Sequence, residues 1–337
     1  MRALVQRAPR ALEVVDIEDP APGRGEVVVR TSAVGICGSD LKVWDIAAYG
    51  TGVVLGHEVA GVVEEVGDGV DESLIGTRAA VHGGISCGEC QSCLDDLPYY
   101  CMSGLGLGGS NGIGGLAERV VVPATNVLPI SDSTDLAAAS FAEPLANGLR
   151  LLDRPEVPGT HGALIIGAGP IGLVSLLAAR ARGVTGIVVV EGRRRRAEAA
   201  LRLGAERVIS PHDDIEHEVR RSFPGGPPIV IEAVGHPATV MQAMKLTRPG
   251  GSAFLMGVCG EPVRVNPFRW MTKELTIRTS IGTDLDRHAE ATRLIDTGEV
   301  DASSLITSRI SLDEAPDAFE ALAGGADEIK VVVEHER

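Results

Sequence analysis

The chain has 337 residues, 44% hydrophobic and 23% charged, which suits a globular protein of two domains at ~100–200 residues each. Its formal net charge of −15 repels phosphate backbones and so disfavours nucleic acid as a partner. No signal-peptide run opens the sequence. The uncharged stretch 163–179 falls short of the ~20 residues of a membrane span and carries glycines and a proline at its middle, so no membrane partner is expected.

The first half holds short β-branched runs separated by Gly and Pro: EVVVRTSAVGI (26–36), EVAGVVEEVG (58–67) and ERVVVPATNVL (118–128). These predict antiparallel strands of a β-rich domain. Between them lies CGECQSCLDDLPYYC, in which Cys87, Cys90, Cys93 and Cys101 follow a C-x2-C-x2-C-x7-C pattern. Clustered spacing in a long chain points to thiolate ligands in a reducing cytoplasm, not to disulfides. Four thiolates fill tetrahedral zinc and leave no position for substrate, so this zinc is expected to be structural. The Gly-rich run 104–115 that follows has no strand before it or helix after it and reads as a surface loop.

From about residue 134 the pattern changes. A helical stretch, TDLAAASFAEPLANGLRLL, precedes a strict alternation: strand GALIIGAG, helix PIGLVSLLAARARG, strand GIVVVEG, helix RRRAEAALRLG, then strands ERVIS, PPIVIEAVG and GGSAFLMGV, with helix PATVMQAMKLT between the last two. Uninterrupted apolar strands alternating with helices predict an α/β doubly wound parallel sheet.

GAGPIG places Gly167, Gly169, Pro170, Ile171 and Gly172 between an apolar strand and a helix, the context in which G-x-G-x-x-G binds a dinucleotide. The glycines permit a tight turn, close approach of a pyrophosphate and close helix–strand packing. Glu191 ends the next strand, where an acid bonds the ribose hydroxyls of NAD. The run GRRRR (192–196) offers arginines for the 2′-phosphate of NADP, or a solvated helix face. The acid places NAD ahead of NADP. S-adenosylmethionine is a rival ligand for such a turn.

Three pieces stay scattered: GICGSDLKVW (35–44), GHEVAG (56–61) and FAEPLANG (141–148). They offer a thiolate at Cys37, an imidazole at His57 and carboxylates at Glu58 and Glu143, the donor types of a catalytic zinc site. Spacing alone does not group them. Together with the cysteine lobe and GAGPIG, in this order over essentially the whole chain, they resemble the zinc-dependent medium-chain alcohol and polyol dehydrogenases, in the flavour of the sorbitol, threonine and aminocyclitol enzymes.

The resemblance implies a GroES-like catalytic domain at 1–146 and 290–337, with a structural zinc lobe at 86–102 and a helix near 312–323 and strand 328–334 returning to it. A Rossmann domain at 147–289 completes the chain. It implies two zinc ions per subunit. Cys37, His57 and Glu143 bind the catalytic one, with Glu58 a direct or exchanging ligand. Asp40 orients His57, and Ser39 takes the substrate proton. Lys42 stands where the family more often has His, and either relays that proton to water or binds substrate. Glu191, Arg193 and Arg196 face the adenosine half of the cofactor. Ala233, Val234 and Val258 face the nicotinamide, and Lys330 the pyrophosphate. Trp44, with Asp45 and Tyr49 nearby, lines a pocket for a polar alcohol or ketone. Phe268 and Trp270 fit either a subunit interface of a homodimer or homotetramer or core packing. Cys259 reads as a small buried residue. By charge, at most one of the two glutamates is expected to bind firmly once substrate is present. A zinc-free quinone or enoyl reductase, and a regulatory zinc-lobe protein, are the competing readings.

Overall fold

The computed structural model describes residues 1–337 except 102–104, 110–112, 156, 158–159 and 336–337. The chain forms two compact units, Met1–Ala146 with Gly282–Arg337, and Asn147–Ile281.

The first unit is built on a seven-stranded sheet. Ile306–Ile310, Lys330–Glu334, Glu26–Gly35, Glu58–Val66, Arg78–Val81 and Val127–Pro129 lie side by side in that order, and Arg119–Pro123 adds to Glu26–Gly35. The β-branched runs form these strands; the central strand Glu26–Gly35 is buried on both faces, while Arg119–Pro123 alternates buried and half-buried residues. Val27, Val29, Val34, Val59, Val63, Val120 and Val122 meet in one core with Leu4, Leu55, Leu116 and Phe319. The expected strand over 118–128 is broken in two by a 3-10 turn, Ala124–Asn126, after Pro123, a residue that cannot donate to a ladder. The Gly-rich run is not all free loop. Leu105–Gly106 pairs with Gly84–Ile85, and Leu107 and Leu116 are buried.

The last segment returns to this sheet. Lys330–Glu334 runs antiparallel to Glu26–Gly35, with Val332 opposite Gly35 and Val333 opposite Val34. The return begins at Gly282, earlier than the expected 289/290. Asp284 caps the helix Leu285–Asp296 by accepting from the Arg287 amide. Asp296 at the far end of that helix accepts from the Ser131 amide and from the Ser131 and Thr134 hydroxyls, which ties the whole helix to the first unit.

The second unit is a six-stranded, all-parallel sheet in the order Arg207–Ile209, Thr185–Val190, His161–Ile166, Ile229–Glu232, Ser252–Leu255, Thr276–Thr279. Helices alternate with the strands, so the strands are apolar on both faces and read as continuous runs. This order reverses at His161–Ile166, and such a switch point is where α/β sheets bind ligands. Among the described residues no helix is long and apolar enough to cross a membrane.

Trp44 corrects one expectation. It lies on the inner face of helix Gly38–Ile46 with 1% of its surface exposed, edge-on to Phe319 at 5.8 Å between ring centres. Helical spacing turns it into the core, so it does not line a substrate pocket. Trp44→Ala should cost about 3–5 kcal/mol of stability, as large-to-small core changes do. Denaturant unfolding checks this. A Michaelis constant that moved while stability did not would return Trp44 to the pocket.

Candidate metal and dinucleotide sites

The first site is assembled by strand register. Gly35 ends one strand and pairs with Glu58, which begins the next. Cys37 follows as the cap of helix Gly38–Ile46, and His57 precedes Glu58. Donor atoms of Cys37, His57 and Glu58 all lie within 4.8 Å of one another. Gly35 is required at its position. A Cβ there would sit 2.2 Å from Glu58 Oε2 and 2.9 Å from Lys330 Cε.

Asp40 organises the cluster. Its carboxylate accepts from the Cys37 amide at 2.9 Å and lies 3.2 Å from His57 Nδ1. That contact holds the proton on Nδ1 and leaves Nε2 as the donor atom toward a metal. Burial raises the Asp40 carboxyl, but His57, the Cys37 amide and Lys330 outweigh it, so it lies below its ordinary 3.8. Burial lowers His57, and the charges of Asp40 and Cys37 overcome this, so the metal-free imidazole is held protonated well above its ordinary 6.5. A metal ion at Nε2 must displace that proton. Ser39 Oγ stands 3.5 Å from Nε2, half-buried. Lys42, one helical turn on, is exposed.

Glu58 is fully buried, and the structure gives it a partner that sequence spacing did not. Lys330 Nζ lies 2.5 Å from Oε1, forms an ion pair with Oε2, and donates to the Ile36 carbonyl at 3.1 Å. Burial lowers the Lys330 ammonium, but Glu58 and Cys37 raise it above its ordinary value. Lys330 was expected at the pyrophosphate. With 2% of its surface exposed, it is instead the counter-ion of Glu58, behind the clustered donor atoms. Glu143, in the first turn of helix Ala142–Leu152, lines a cavity of about 130 Å³ together with His57, His82, Tyr99 and Thr283. It shares this space without being one of the three clustered donors.

Cys87, Cys90, Cys93 and Cys101 are free thiols with sulfur separations of 3.5–3.9 Å along four edges. A disulfide requires about 2.05 Å. Zinc at about 2.3 Å from each sulfur spans a tetrahedron with edges of about 3.8 Å, so these positions fit that ion. The Glu89 and Cys90 amides pull the Cys87 thiol down to about 6, while burial and the neighbouring thiols push Cys93 up to about 11. One low thiol therefore offers the first thiolate, and a metal would have to draw the others into ionisation.

The Gly-rich turn lies in the second unit. Gly167 has a φ of +93°, and a Cβ on Gly172 would fall 1.9 Å from the Gly167 carbonyl oxygen. Gly169 caps helix Pro170–Ala181, whose open amides and positive end suit a phosphate. Glu191 Oε2 accepts from the Ala168 amide, and Oε1 from the Gly192 and Arg193 amides, each at 2.8 Å. Three backbone donors thus fix a carboxylate beside the turn. The Arg196 guanidinium lies 3.7 Å from where a Cβ of Gly169 would be, while Arg193 is exposed. Val234 packs onto Gly167, and the Val258 backbone packs onto Gly235. Val234 and Val258 are both exposed, as an apolar rest for a planar ring requires. Trp270 packs into the cluster of Val240 and Met244, whereas Phe268 stays exposed. Cys259 is half-buried, and its thiol donates to the Glu261 carbonyl.

Comparison with known proteins places the chain in a family. Residues 23–132 match the alcohol dehydrogenase GroES-like domain, and 170–297 match the zinc-binding dehydrogenase model. The sorbitol dehydrogenase of Arabidopsis thaliana is 32% identical over 326 residues, covering 93% of this chain and 89% of that protein. The chain belongs to the zinc-dependent medium-chain alcohol and polyol dehydrogenases. The L-threonine 3-dehydrogenase of Pyrococcus abyssi is 32% identical over 93% of this chain and 92% of its own length. A Sinorhizobium meliloti 1021 protein solved bound to NADP superposes with a TM-score of 0.92 at 31% identity, covering 99% of this chain and 98% of that one. This family member is an oxidoreductase that uses zinc and a nicotinamide cofactor.

Lys330→Met should destabilise the protein by about 3–5 kcal/mol, because it leaves Glu58 charged and alone in the interior. Adding Glu58→Gln should recover much of the loss. Unfolding midpoints of the single and double variants test the pair; strict additivity would show that the two side chains do not interact.

Proposed function

We propose that the chain oxidises a secondary hydroxyl of a polar substrate (a polyol, sugar, cyclitol, aminocyclitol or hydroxy-amino acid) with NAD as hydride acceptor. Two zinc ions per subunit are part of this reading, one at Cys37, His57 and a glutamate, the other at the four cysteines. The observation that carries it is the His57 ring, turned by Asp40 so that Nε2 faces the same space as Cys37, Glu58 and Ser39.

When bound, zinc supplies a Lewis acid that makes the substrate hydroxyl more acidic, and the nicotinamide supplies a hydride acceptor. The rest is the work of side chains. Asp40 keeps His57 in one tautomer. Ser39 Oγ receives the hydroxyl proton and passes it outward along the face it shares with Lys42. Lys330 holds Glu58 in place behind the donors. The cysteine lobe takes no part in the chemistry, since four thiolates fill a zinc ion's tetrahedral shell. The clustered donors also speak against a metal-free reductase.

NAD is preferred because Glu191 cannot swing aside. Its two oxygens are held by three amides, so its charge stays where a 2′-phosphate would sit. The exposed edge strand Thr276–Thr279, with Phe268 and Met271 exposed nearby in sequence, supports a homodimer or homotetramer. Reduced thiols fit a cytoplasmic protein.

A panel of polyols, cyclitols, aminocyclitols and hydroxy-amino acids with either cofactor, followed at the absorbance of the reduced nicotinamide, tests the assignment. Cys37→Ser should abolish turnover and leave the fold intact; wild-type rates in that variant would move the chemistry elsewhere. Glu191→Ser should raise the NADP to NAD ratio of kcat/KM about ten-fold or more, as removal of a repelling carboxylate predicts. Cys93→Ser should lower the thermal midpoint and release one zinc ion, with activity falling only as the protein unfolds. Lost activity at an unchanged midpoint would make the lobe catalytic.

A further inference from the structure

The cavity beside His57 has a wall that the reaction above leaves unused. His82 follows the strand Arg78–Val81, with 7% of its surface exposed. Its backbone is pinned on both sides. The His82 amide donates to the Asn126 carbonyl, and Asn126 Nδ2 donates to the carbonyls of His82 and Gly84, both at 2.8 Å. Gly83 continues past His57, with its Cα hydrogen side 3.2 Å from the His57 carbonyl oxygen at the position a Cβ would take.

The ring is pinned as well. His82 Nδ1 lies 3.2 Å from Nδ1 of His288, a fully buried residue of helix Leu285–Asp296, and the rings meet edge-on at 5.1 Å between centres. One nitrogen must donate and the other accept, so the pair shares a single proton in this contact. Burial lowers both imidazoles; Asp284 partly opposes this at His82, and the proximity of His82 lowers His288 further. The pair is therefore neutral near pH 7. His82 Nε2 has no hydrogen-bond partner among the described residues. It lies 2.8 Å from the point a Cβ of Gly84 would occupy, so glycine at 84 leaves that nitrogen uncovered.

We propose that His82 is a substrate-binding residue whose Nε2 bonds a second hydroxyl, adjacent to the one oxidised, and that His288 is the positioning residue that holds the ring. This deepens the dehydrogenase reading and rests on it. His82 lines the same cavity as His57 and Glu143. Either tautomer of His82 serves, because a hydroxyl both donates and accepts, whereas a carboxylate or phosphate can only accept. A neutral imidazole also gives no ion pair to an anionic group. This wall therefore suits a second hydroxyl of the substrate.

The test compares 2,3-butanediol with 2-butanol, which differ by one hydroxyl. His82→Phe should cut kcat/KM for the diol about ten-fold, the size of one neutral hydrogen bond, mainly through KM. The ratio of kcat/KM for the diol to that for 2-butanol should fall several-fold in the same variant. His82→Gln should restore most of the diol preference, and His288→Phe should lower it several-fold. In nitrogen-15 histidine spectra of the zinc-loaded protein, 2,3-butanediol should shift the His82 Nε2 resonance. A wild-type ratio in His82→Phe, with Cys37→Ser inactive on both alcohols, would overturn this assignment and leave the dehydrogenase reading standing. Oxidation of neither alcohol by the wild type would overturn the assignment of His82, and the substrate panel above decides the dehydrogenase reading.

Discussion

A lysine ammonium with almost no water around it stands behind the cluster of Cys37, His57 and Glu58, and the first unit is arranged to keep it there. Lys330 begins a strand that returns from the far end of the chain, and Glu58 begins a strand from the near end. Both flank Glu26–Gly35, and only glycine at 35 leaves room for the two side chains to meet. Removing either partner strands a charge in the interior, whereas the intact pair only roughly offsets its own desolvation. The pair is therefore poor at adding stability and good at fixing one arrangement. It couples the returning strand to the donor cluster, so the first unit's two chain segments must both be in place before Glu58 is held.

The two thiolate-bearing sites differ in what surrounds the sulfur. At the cysteine lobe four sulfurs stand at mutual distances that suit one tetrahedral ion, with no uncommitted donor position. At Cys37 the donors are mixed, one imidazole is steered by a buried carboxylate, and a cavity opens on the same imidazole. The first arrangement can bind and brace. Only the second has space for a substrate oxygen. Conspicuous spacing marked the lobe, yet the proposed chemistry rests on residues dispersed over more than a hundred positions.

That contrast explains what was legible in the sequence. Local patterns were readable: the alternation of strands and helices, the glycine turn after an apolar strand, and the cysteine spacing all act over a few residues. Cys37, His57 and Glu58 were legible only through family resemblance, because strand pairing, not spacing, brings them together. Trp44 was misread because proximity in sequence to Cys37 suggested a pocket, while one helical turn is enough to point a side chain the other way. Lys330 was misread for a related reason. A lysine opening the apolar strand KVVVE was itself a sign of a buried counter-ion, but its partner lies 272 positions earlier. The contact of His82 with His288 spans 206 positions and has no sequence signature at all.

The counter-ion also changes how the two glutamates must be compared. Counting formal charge alone treats Glu58 and Glu143 as equal competitors for a dication bound with one thiolate. They are not equal. Glu58 already shares its charge with Lys330 through both carboxylate oxygens and has no access to water. Glu143 faces the cavity and is only half-buried. A carboxylate paired to an ammonium adds little net negative charge when it approaches a metal ion, so its approach would weaken the ion's pull on a substrate oxygen less than Glu143 would. Lys330 in turn resists full transfer of Glu58 to the metal, because that would leave the ammonium with only the Ile36 carbonyl. On the proposed reading, Glu58 would be a tethered reserve donor to a metal ion held at Cys37 and His57, without leaving its partner.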